Sequence, residues 1–391
     1  MRVLFLAYAH ERGLRADAGG HRKLWELAWA LAARGHEVRV LYPRLPGHAP
    51  LRSVPCRAYP VLDARWLRPL TAYLAMSAGA WRLGRGWRPD VVYFRSGANV
   101  LPPLVARTLG AAPVLEVNAD TLEFHEVEGV GALTRWVWRT LEGVNARRSA
   151  AIVALTPGLK RMLVSRYGVP EARVRVIPSG TDVAHFAPGD VADARRRLGL
   201  DPAAALVGFV GIFYRHQGVP TLLEALARLR AGGVAVAGLI VGDGVPRAEW
   251  EARARGLGLG GAVTFTGQVP YARVPACFAA MDVVAAPFTA GRGETSPFKV
   301  LDAMACERAV VASDLASVRP LAEASGALTL VPPDDPAALA AALGALLADP
   351  ARRAALARRA REFVVARHAW DKIGEALAAV LAEASRDPRA G

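Results

Sequence analysis

The chain opens with Met1-Arg2-Val3-Leu4-Phe5-Leu6-Ala7-Tyr8-Ala9, and residues 3–9 are an apolar run of strand type. A Gly-containing loop then leads to apolar residues that recur at helical spacing, Leu24, Leu27, Ala28 and Leu31, and Gly35 ends that segment. A second apolar run follows at residues 38–42. Strand, helix and strand in this order predict a βαβ unit of a parallel sheet with helices on both faces.

The same alternation continues along the chain and predicts ten more strands, at residues 91–94, 114–118, 152–155, 174–177, 206–210, 236–241, 263–265, 283–286, 310–312 and 328–331. A turn-rich stretch at residues 178–202 separates two series and predicts a domain boundary near residues 185–200. We therefore expect an α/β protein of two doubly wound, Rossmann-like domains that face each other across a central cleft. Such sheets bind ligands outside the carboxyl ends of their strands.

Length and composition agree with this expectation. The 391 residues, 53% of them hydrophobic, are enough for two domain cores. No apolar run reaches the roughly 18 residues of a membrane span, and the first apolar stretch is shorter than a signal-peptide core, so we expect a cytoplasmic protein. Cys56, Cys277 and Cys306 are scattered, which predicts buried small side chains rather than disulfides or a zinc site.

Positive charge is concentrated in the first half of the chain. Residues 1–190 carry 26 Lys and Arg against 15 Asp and Glu, and the remaining 201 residues carry 23 against 20. One interpretation is an acidic partner for the first half, such as anionic lipid, nucleic acid or a phosphorylated substrate. The other is gene base composition, because Arg greatly outnumbers Lys.

The segment 59–87 and its flanks interleave aromatic and basic residues. The aromatic residues are Trp66, Tyr73, Trp81 and Trp87, and the basic ones are Arg57, Arg65, Arg68, Arg82, Arg85 and Arg88. The mixture favours loose, peripheral contact with an anionic membrane surface at the inner membrane face, although a packed core with a solvated basic face explains it too. No nucleic-acid module or stacking motif is present, so we expect no nucleic-acid partner.

The segment with the most chemistry is Gly293-Glu294-Thr295-Ser296-Pro297-Phe298-Lys299-Val300-Leu301-Asp302. Ser296 followed by Pro297 predicts an N-cap and the first turn of a helix. A helix N-terminus holds a diphosphate, Lys299 offsets phosphate charge, and carboxylates accept hydrogen bonds from sugar hydroxyls. The alternative is that Glu294 caps exposed backbone and Asp302 is surface charge.

This segment resembles the retaining nucleotide-sugar glycosyltransferases of family 4, which have the GT-B fold. Their mark is a Glu, seven residues and a second Glu that opens an Ala-Met-Ala-Cys-Gly-like run. Here the run is Glu294, seven residues, Asp302 and then Ala303-Met304-Ala305-Cys306-Glu307. Asp302 thus keeps the carboxylate on a shorter arm, and Glu307 replaces the usual Gly.

Further motifs extend the resemblance over most of the chain: Gly19-Gly20, Val176 to Asp182 with Phe186, Phe209-Val210-Gly211, Gly218, Val241-Gly242-Asp243-Gly244, Phe265-Thr266-Gly267 and His368-Ala369-Trp370-Asp371. The resemblance implies an acceptor domain at residues 1–187, a donor domain at 188–371, and a last helix at 372–391 that packs back on the first. The donor-binding residues that we expect on this basis are Gly19, Gly20, Gly211, Arg215, Gly242, Gln268, Val269, Ser296, Pro297, Phe298, Lys299 and Asp302, with base recognition near Gln268 and Val269.

One departure concerns the phosphate-binding cations. The usual family pattern has an Arg after the Gly matching Gly211 and a Lys before the Gly matching Gly218, and these places hold Ile212 and Gln217 here. We expect Arg215 and Lys299 to supply the charge instead. The alternative is that donor binding is degraded or lost.

The acceptor is expected at the end of the strand that leads into Glu116-Val117-Asn118-Ala119-Asp120, because ligands lie at such strand ends. Asn118 is a candidate to bind an acceptor hydroxyl, and His125 or Glu126 to orient it or accept its proton.

The resemblance implies an enzyme of carbohydrate biosynthesis, a hexosyltransferase that moves a sugar from a nucleotide-sugar to a glycan, lipid-linked or small-molecule acceptor. It implies retention of anomeric configuration, no metal and no cofactor, with Glu294 positioning the sugar. The alternatives are a non-catalytic GT-B binding subunit, which the missing cations favour, and a nucleotide-sugar epimerase, which the spacing of Glu294 and Asp302 disfavours.

Overall fold

The computed structural model describes residues 1–8, 19–45, 50–62, 64, 67–123 and 130–386, and it consists of two compact units. Unit 1 comprises Met1–Gly180, Glu294–Ser296 and Trp370–Gly391, and unit 2 comprises Thr181–Gly293 and Pro297–Ala369. The division after Gly180 lies before the expected boundary at residue 187. The short segment Glu294–Ser296 belongs to unit 1 although its chain neighbours belong to unit 2.

Unit 1 contains a seven-stranded parallel sheet of order β3-β2-β1-β4-β5-β6-β7. Its strands are β1 (Arg2–Leu6), β2 (Glu37–Pro43), β3 (Cys56–Tyr59), β4 (Val91–Arg95), β5 (Ala112–Val117), β6 (Ala151–Ala154) and β7 (Val174–Val176). Its described helices of more than one turn are α1 (Gly19–Ala33), α2 (Arg68–Trp87), α3 (Leu101–Thr108), α4 (Ala132–Arg148), α5 (Pro157–Tyr167) and the last helix of the chain (Trp370–Arg386).

Unit 2 contains a six-stranded parallel sheet of order β10-β9-β8-β11-β12-β13. Its strands are β8 (Ala205–Val210), β9 (Val236–Val241), β10 (Val263–Gly267), β11 (Val283–Ala286), β12 (Ala309–Ser313) and β13 (Leu328–Val331). Its helices are α6 (Val191–Arg197), α7 (Val219–Ala231), α8 (Arg247–Gly256), α9 (Val274–Ala280), α10 (Phe298–Ala305), α11 (Arg319–Ser325), α12 (Pro336–Ala348) and α13 (Pro350–Arg367), and we number the last helix of unit 1 α14.

Both sheets confirm the predicted doubly wound α/β architecture. Strands such as β11 and β12 are buried along their whole length, because helices cover both faces, and they read as continuous apolar runs. In each sheet the strand order reverses beside the first strand, between β1 and β4 in unit 1 and between β8 and β11 in unit 2. Side chains at the carboxyl ends of these strands meet in a crevice suited to a ligand.

The edge strand β3 was not predicted, since Cys56-Arg57-Ala58-Tyr59 lacks a continuous apolar run. Because it is an edge strand, Cys56 is exposed, and its predicted burial is wrong. Burial is confirmed for Cys277 and Cys306.

Both ends of α5 are formed by residue types that favour helix ends. The Thr156 side chain accepts a hydrogen bond from the backbone N–H of Leu159 at 3.1 Å and caps α5, and Gly168 ends this helix in the left-handed conformation at φ 64°. Among the described helices, none combines the length and the apolar character needed to cross a membrane.

Candidate functional site

The crevice of unit 2 is formed by tight backbone turns that follow the strands. Gly211 comes directly after β8 with φ 151°, and Gly242 directly after β9 with φ 134°. A Cβ atom on Gly242 would lie 1.9 Å from the carbonyl oxygen of Gly211, so the two turns require glycine. A Cβ atom on Gly211 would lie 2.7 Å from Lys299 Nζ. The missing side chain therefore leaves room for the lysine ammonium.

Lys299 lies in the first turn of α10, and its ammonium group has neutral partners. Nζ donates a hydrogen bond to Gln217 Oε1 at 2.5 Å and lies 3.7 Å from the centre of the buried Phe209 ring. No carboxylate among the described residues pairs with it. Burial, reinforced by the positive charge of Arg292, sets the pKa of Lys299 well below the ordinary lysine value.

One further cation, Arg292, and one neutral imidazole, His216, lie near Lys299. The Arg292 guanidinium lies 4.0 Å from the centre of the Phe288 ring and donates to Ser317 Oγ at 3.3 Å. Burial lowers the pKa of His216 to about 4, with Arg292 and Lys299 contributing, and the imidazole is therefore neutral at pH 7. Cationic and neutral donors without a carboxylate suit an anion such as a phosphate.

The structure places Arg215 differently from Lys299. Arg215 is 75% exposed and makes a two-pronged ion pair with Glu249, with N–O distances of 3.0 and 2.8 Å. The expectation that Arg215 provides positive charge for the donor phosphates stays a prediction. Arg292, which the sequence analysis did not single out, is the cation whose field acts on Lys299. Arg292 ends a one-turn 3-10 helix, Ala290–Arg292, just before Gly293, and it belongs to none of the motifs quoted above.

Asp302 lies in the second turn of α10 and contacts Thr181, the first residue of unit 2. Its Oδ1 accepts a hydrogen bond from the buried Thr181 Oγ1 at 2.6 Å. The backbone N–H of Thr181 in turn donates to the carbonyl oxygen of His368 at 2.8 Å. The carboxylate orientation is thus set by a residue of the Val176-to-Asp182 signature.

The predicted helix cap is wrong by one residue. The helix α10 begins at Phe298, its N-cap is Pro297, and no side chain caps it, so Ser296 is not the N-cap. The reason is that Pro297 has ψ 59°, which is outside the helical region. Of the expected base-binding residues, Gln268 is exposed just after β10 and Val269 is half-buried.

Glu294 lies in unit 1, where its carboxylate sits at the N-terminus of α5. Its Oε2 accepts a hydrogen bond from Thr156 Oγ1 at 2.6 Å, and a Cβ atom on Gly158 would lie 2.2 Å from its Oε1. The unpaired N–H groups and partial positive charge of the helix start favour a carboxylate there. The predicted place of Glu294 on the loop before α10 is confirmed, and the contact with Thr156 was not predicted.

Asn118, at the end of β5, belongs to a buried polar cluster. Its Oδ1 accepts from Lys23 Nζ at 3.0 Å, and its Nδ2 donates to Glu116 Oε2 at 3.1 Å, which fixes the orientation of the amide. Glu116 also pairs with Lys23 at 2.8 Å and with Arg95 at 2.8 Å. Burial alone raises the pKa of Glu116, but these two cations outweigh it and lower that pKa to about 2.

The other expected residues of unit 1 are only partly described. Gly19 and Gly20 form the first residues of α1, two turns or less before Lys23. His125 and Glu126 lie outside the described residues. The sequence analysis missed Lys23 and Arg95, because both are distant from Glu116 in the chain. Arg95 meets Glu116 through the parallel register of β4 and β5, and Lys23 reaches it from α1.

A cavity of about 680 Å³ lies beside the end of β5 in unit 1, lined by Asp120, Leu122, Glu123, Ala132, Arg135, Trp136, Arg139 and Arg166. Asp120 and Arg166 pair through two contacts of 2.7 Å. Burial, with help from Asp120, raises the pKa of Glu123. An indole face, arginines and carboxylates together suit a polyhydroxylated or anionic small molecule. Within the described residues, no group of three or more His, Cys, Asp or Glu side chains is placed to hold a metal ion.

Two family models match the chain. A model of the family described as "Glycosyltransferase Family 4" matches residues 18–185, and one described as "Glycosyl transferases group 1" matches residues 204–349. A 2-deoxystreptamine glucosyltransferase of Streptomyces kanamyceticus is 28% identical over 77% of this chain and 78% of its own length. A D-inositol 3-phosphate glycosyltransferase of Geodermatophilus obscurus is 33% identical over 60% of this chain. The chain spans only 53% of the length of that second relative.

Solved structures share the fold. Sucrose-phosphate synthase of Thermosynechococcus elongatus matches with a TM-score of 0.77 and 23% identity over 98% of both chains. Anabaena HepE in complex with UDP-glucose matches with a TM-score of 0.75 and 20% identity over 98% of this chain and 100% of its own. Fold and family models together define a glycosyltransferase of the GT-B type. The chain belongs to glycosyltransferase family 4, as its motifs predicted.

Proposed function

We propose that this protein transfers a sugar from a nucleotide-sugar to an acceptor hydroxyl, with retention of anomeric configuration and without a metal ion. The observation that carries the proposal is the ammonium group of Lys299, which lies in the crevice at the β8 and β11 ends with no carboxylate partner among the described residues. Lys299 is half-buried, and a charge that is partly removed from water without a counterion is costly and typical of functional sites. The donor diphosphate is the anion that completes this arrangement.

Catalysis then rests on electrostatic stabilisation of the departing nucleoside diphosphate. Lys299, Arg292 and the N-terminus of α10 are fixed before the reaction, so they stabilise the developing charge without reorganising. The bond between the anomeric carbon and the diphosphate oxygen breaks, and the acceptor oxygen bonds to that carbon from the same face. The acceptor proton passes to the departing diphosphate oxygen, and no protein base is needed.

The two carboxylates of the motif position the donor in this proposal. Glu294, held by Thr156, accepts hydroxyl groups of the donor sugar, and Asp302, held by Thr181, accepts ribose hydroxyls. Each carboxylate is oriented by a threonine hydroxyl, so little side-chain freedom remains to be lost when substrate binds. Gly211 and Gly242 supply the close backbone approach that a diphosphate requires.

The acceptor side is proposed at the end of β5, where Asn118 has a fixed amide and the cavity beside Asp120 offers indole and arginine groups. The names of two relatives give the first acceptors to test, since 2-deoxystreptamine and inositol 3-phosphate are both polyhydroxylated six-membered rings. Because HepE is known with UDP-glucose, that donor is the first choice. His125 stays a predicted acceptor residue.

The test is calorimetric titration of UDP, GDP, ADP and TDP, with EDTA present, into the wild type, Lys299→Met, Asp302→Ala and Lys372→Met. Lys372 is a matched control because it is a half-exposed surface lysine. We expect one nucleotide to bind with micromolar affinity, Lys299→Met to weaken it about 30- to 100-fold, and Lys372→Met to leave it unchanged. Equal affinity for Lys299→Met and the wild type contradicts the donor site.

A non-catalytic binding subunit is the second candidate, and the replacement of the usual cations by Ile212 and Gln217 favours it. Nucleotide titration separates the two, because such a subunit binds none of the four nucleotides. An epimerase is separated by turnover, since it converts UDP-glucose without any acceptor whereas the proposed transferase requires one.

A further inference from the structure

The helix α2 exposes a row of large apolar side chains. Leu67, Leu70 and Leu74 are 50%, 56% and 54% exposed, and Trp81 is 41% exposed. Leu62, which is 60% exposed, lies next to this row because its backbone N–H donates to Thr71 Oγ1 of α2 at 3.3 Å. We call these five side chains the apolar row.

Helix geometry places the row on one side. At 100° per residue, positions 67, 70, 74 and 81 fall within an arc of about 60°, position 85 falls within the same arc, and position 82 extends it to about 120°. The opposite side of α2 is packed into the core of unit 1 through Ala72, Met76, Ala80 and Trp87. The helix is thus apolar on two sides, and folding needs only the inner one.

The charge of α2 has a single sign. Its 20 residues include Arg68, Arg82 and Arg85 and no Asp or Glu. Arg82 and Arg85 are exposed at the end of the apolar row, and the Arg85 guanidinium lies 4.5 Å from the centre of the Trp81 ring. Arg88 is also exposed, just beyond the helix. An apolar row that ends in a Trp and is bordered by arginines has the composition of a helix that lies in a membrane interface.

We propose that α2 is the surface on which this protein binds an anionic lipid bilayer, independently of the proposed transferase reaction. The leucines enter the boundary between headgroups and acyl chains, Trp81 lies at headgroup depth, and Arg82, Arg85 and Arg88 contact lipid phosphates. A helix without carboxylates meets no repulsion from such a surface. An apolar partner protein would not need the arginines, which is why lipid fits this face better.

The exposed residues differ from those that the sequence pattern emphasised. The sequence analysis named four aromatic residues in this segment. Of these, Trp81 is exposed and Tyr73 is half-buried. Trp87 is 8% exposed and packs in the core, and Trp66 lies outside the described residues. The leucines between them carry the apolar surface. Their exposure is invisible in sequence, because Leu70 and Met76 look equally suited to a core.

The experiment is sedimentation of the full chain with vesicles of phosphatidylcholine alone and of phosphatidylcholine with 30 mol% phosphatidylglycerol, at low and high salt. The variants are Leu70→Ser/Leu74→Ser and Arg82→Gln/Arg85→Gln. The matched controls are Val245→Ser, since Val245 is 98% exposed in unit 2, and Arg358→Gln on α13, since Arg358 is exposed. Circular dichroism melts verify that each variant folds.

We expect the wild type to bind the anionic vesicles at least tenfold more tightly than the neutral ones, and the leucine variant to lose at least tenfold of that affinity. The arginine variant should lose about tenfold at low salt and less at high salt, because lipid charge is screened. Both controls should bind like the wild type. Equal pelleting of the leucine variant and the wild type overturns the proposal. So does a wild-type dimer in analytical ultracentrifugation that the leucine variant abolishes, because α2 would then contact a second copy of the chain.

Discussion

Glu116 in unit 1 and Lys299 in unit 2 are both enclosed charges near the carboxyl ends of a parallel sheet, and their surroundings are opposite. Glu116 is fully buried, and Lys23 and Arg95 each approach it to 2.8 Å. Lys299 contacts an amide oxygen and an aromatic ring, and the charge that acts on it is another cation, Arg292. The first charge is compensated within the protein, and the second is not.

The difference shows which of the two charges has its counterions within the folded protein. Lys23 and Glu116 both hydrogen-bond to Asn118 and fix its amide. The Glu116 carboxylate is already paired with Lys23 and Arg95, so the cluster orients a side chain. Burial and Arg292 disfavour the charged form of Lys299 and lower its pKa, and an added anion would stabilise that charged form. The same strand-end geometry therefore supports a structural role in unit 1 and a binding role in unit 2, and substitutions at the two residues should have opposite consequences.

The largest expected effect is on folding. Glu116→Gln leaves Lys23 and Arg95 buried without a counterion and should lower the free energy of unfolding by about 3 kcal/mol at pH 7. Urea denaturation measures this loss, with Glu171→Gln as control, because Glu171 forms an exposed ion pair with Lys160. The folded pKa of about 2 lies below the unfolded value of 4.5. The ionised Glu116 therefore contributes its full stabilisation above pH 4.5. The difference in the free energy of unfolding between the variant and the wild type should vanish as the pH falls toward 2.

Lys299→Met is expected to act on binding and not on folding. Since Met removes a costly ammonium and keeps apolar contact with Phe209, the free energy of unfolding should stay equal or rise by up to about 1 kcal/mol. The roughly 30- to 100-fold loss of nucleotide affinity corresponds to about 2–3 kcal/mol. A variant that loses both stability and binding would make Lys299 a structural residue like Glu116.

Moving the ammonium group from position 299 to position 217 tests whether nucleotide affinity depends on a positive charge at this place in the crevice. Gln217 occupies the place of the usual family lysine, and it meets the Lys299 ammonium at 2.5 Å, so an ammonium on either side chain reaches the same space. Lys299→Met/Gln217→Lys should recover about tenfold of the lost nucleotide affinity. Lys299→Met/Ser165→Lys restores the net charge on an exposed helix position of unit 1 and should recover nothing. Equal recovery by both double variants would reduce the effect to net charge.

The strands of the fold and the residues of the donor site could be predicted from the sequence to different degrees. Strands were predictable because apolar runs such as Val236 to Val241 admit no other placement between turns, whereas the edge strand β3 has no such run. The motif residues Glu294, Lys299 and Asp302 were found through local spacing. Lys23 and Arg95 were missed, since both are distant from Glu116 in the chain and only the fold brings them together. Arg292 was missed although Phe288 and Lys299 are near it in sequence, because no motif includes it.

Nucleotide affinity should also depend on pH through His216. Its folded pKa of about 4 lies below the ordinary histidine value of 6.5 because of burial, Arg292 and Lys299, and the anion of the nucleotide offsets those two charges. The pKa of His216 should therefore rise in the complex, and binding should take up protons and tighten as the pH falls from 7 to 5.5, by about threefold. Calorimetry in buffers of different ionisation enthalpy measures the uptake. His216→Gln should abolish it, and an unchanged uptake in that variant would place the proton elsewhere.

The smallest expected effect concerns Arg215, and it decides which cation accompanies Lys299. Arg215 is 75% exposed and already paired with Glu249, so moving it to a diphosphate breaks one ion pair to make another in water, where either is worth little. Arg215→Gln should weaken nucleotide binding less than twofold. Arg292→Gln should weaken it at least threefold, because Arg292 is half-buried and acts on Lys299 directly. Each variant removes one positive charge, so the same titration compares two variants that differ only in the position of the lost charge. The reverse order would mean that Arg215 leaves Glu249 when nucleotide binds, and the original expectation for Arg215 would then hold.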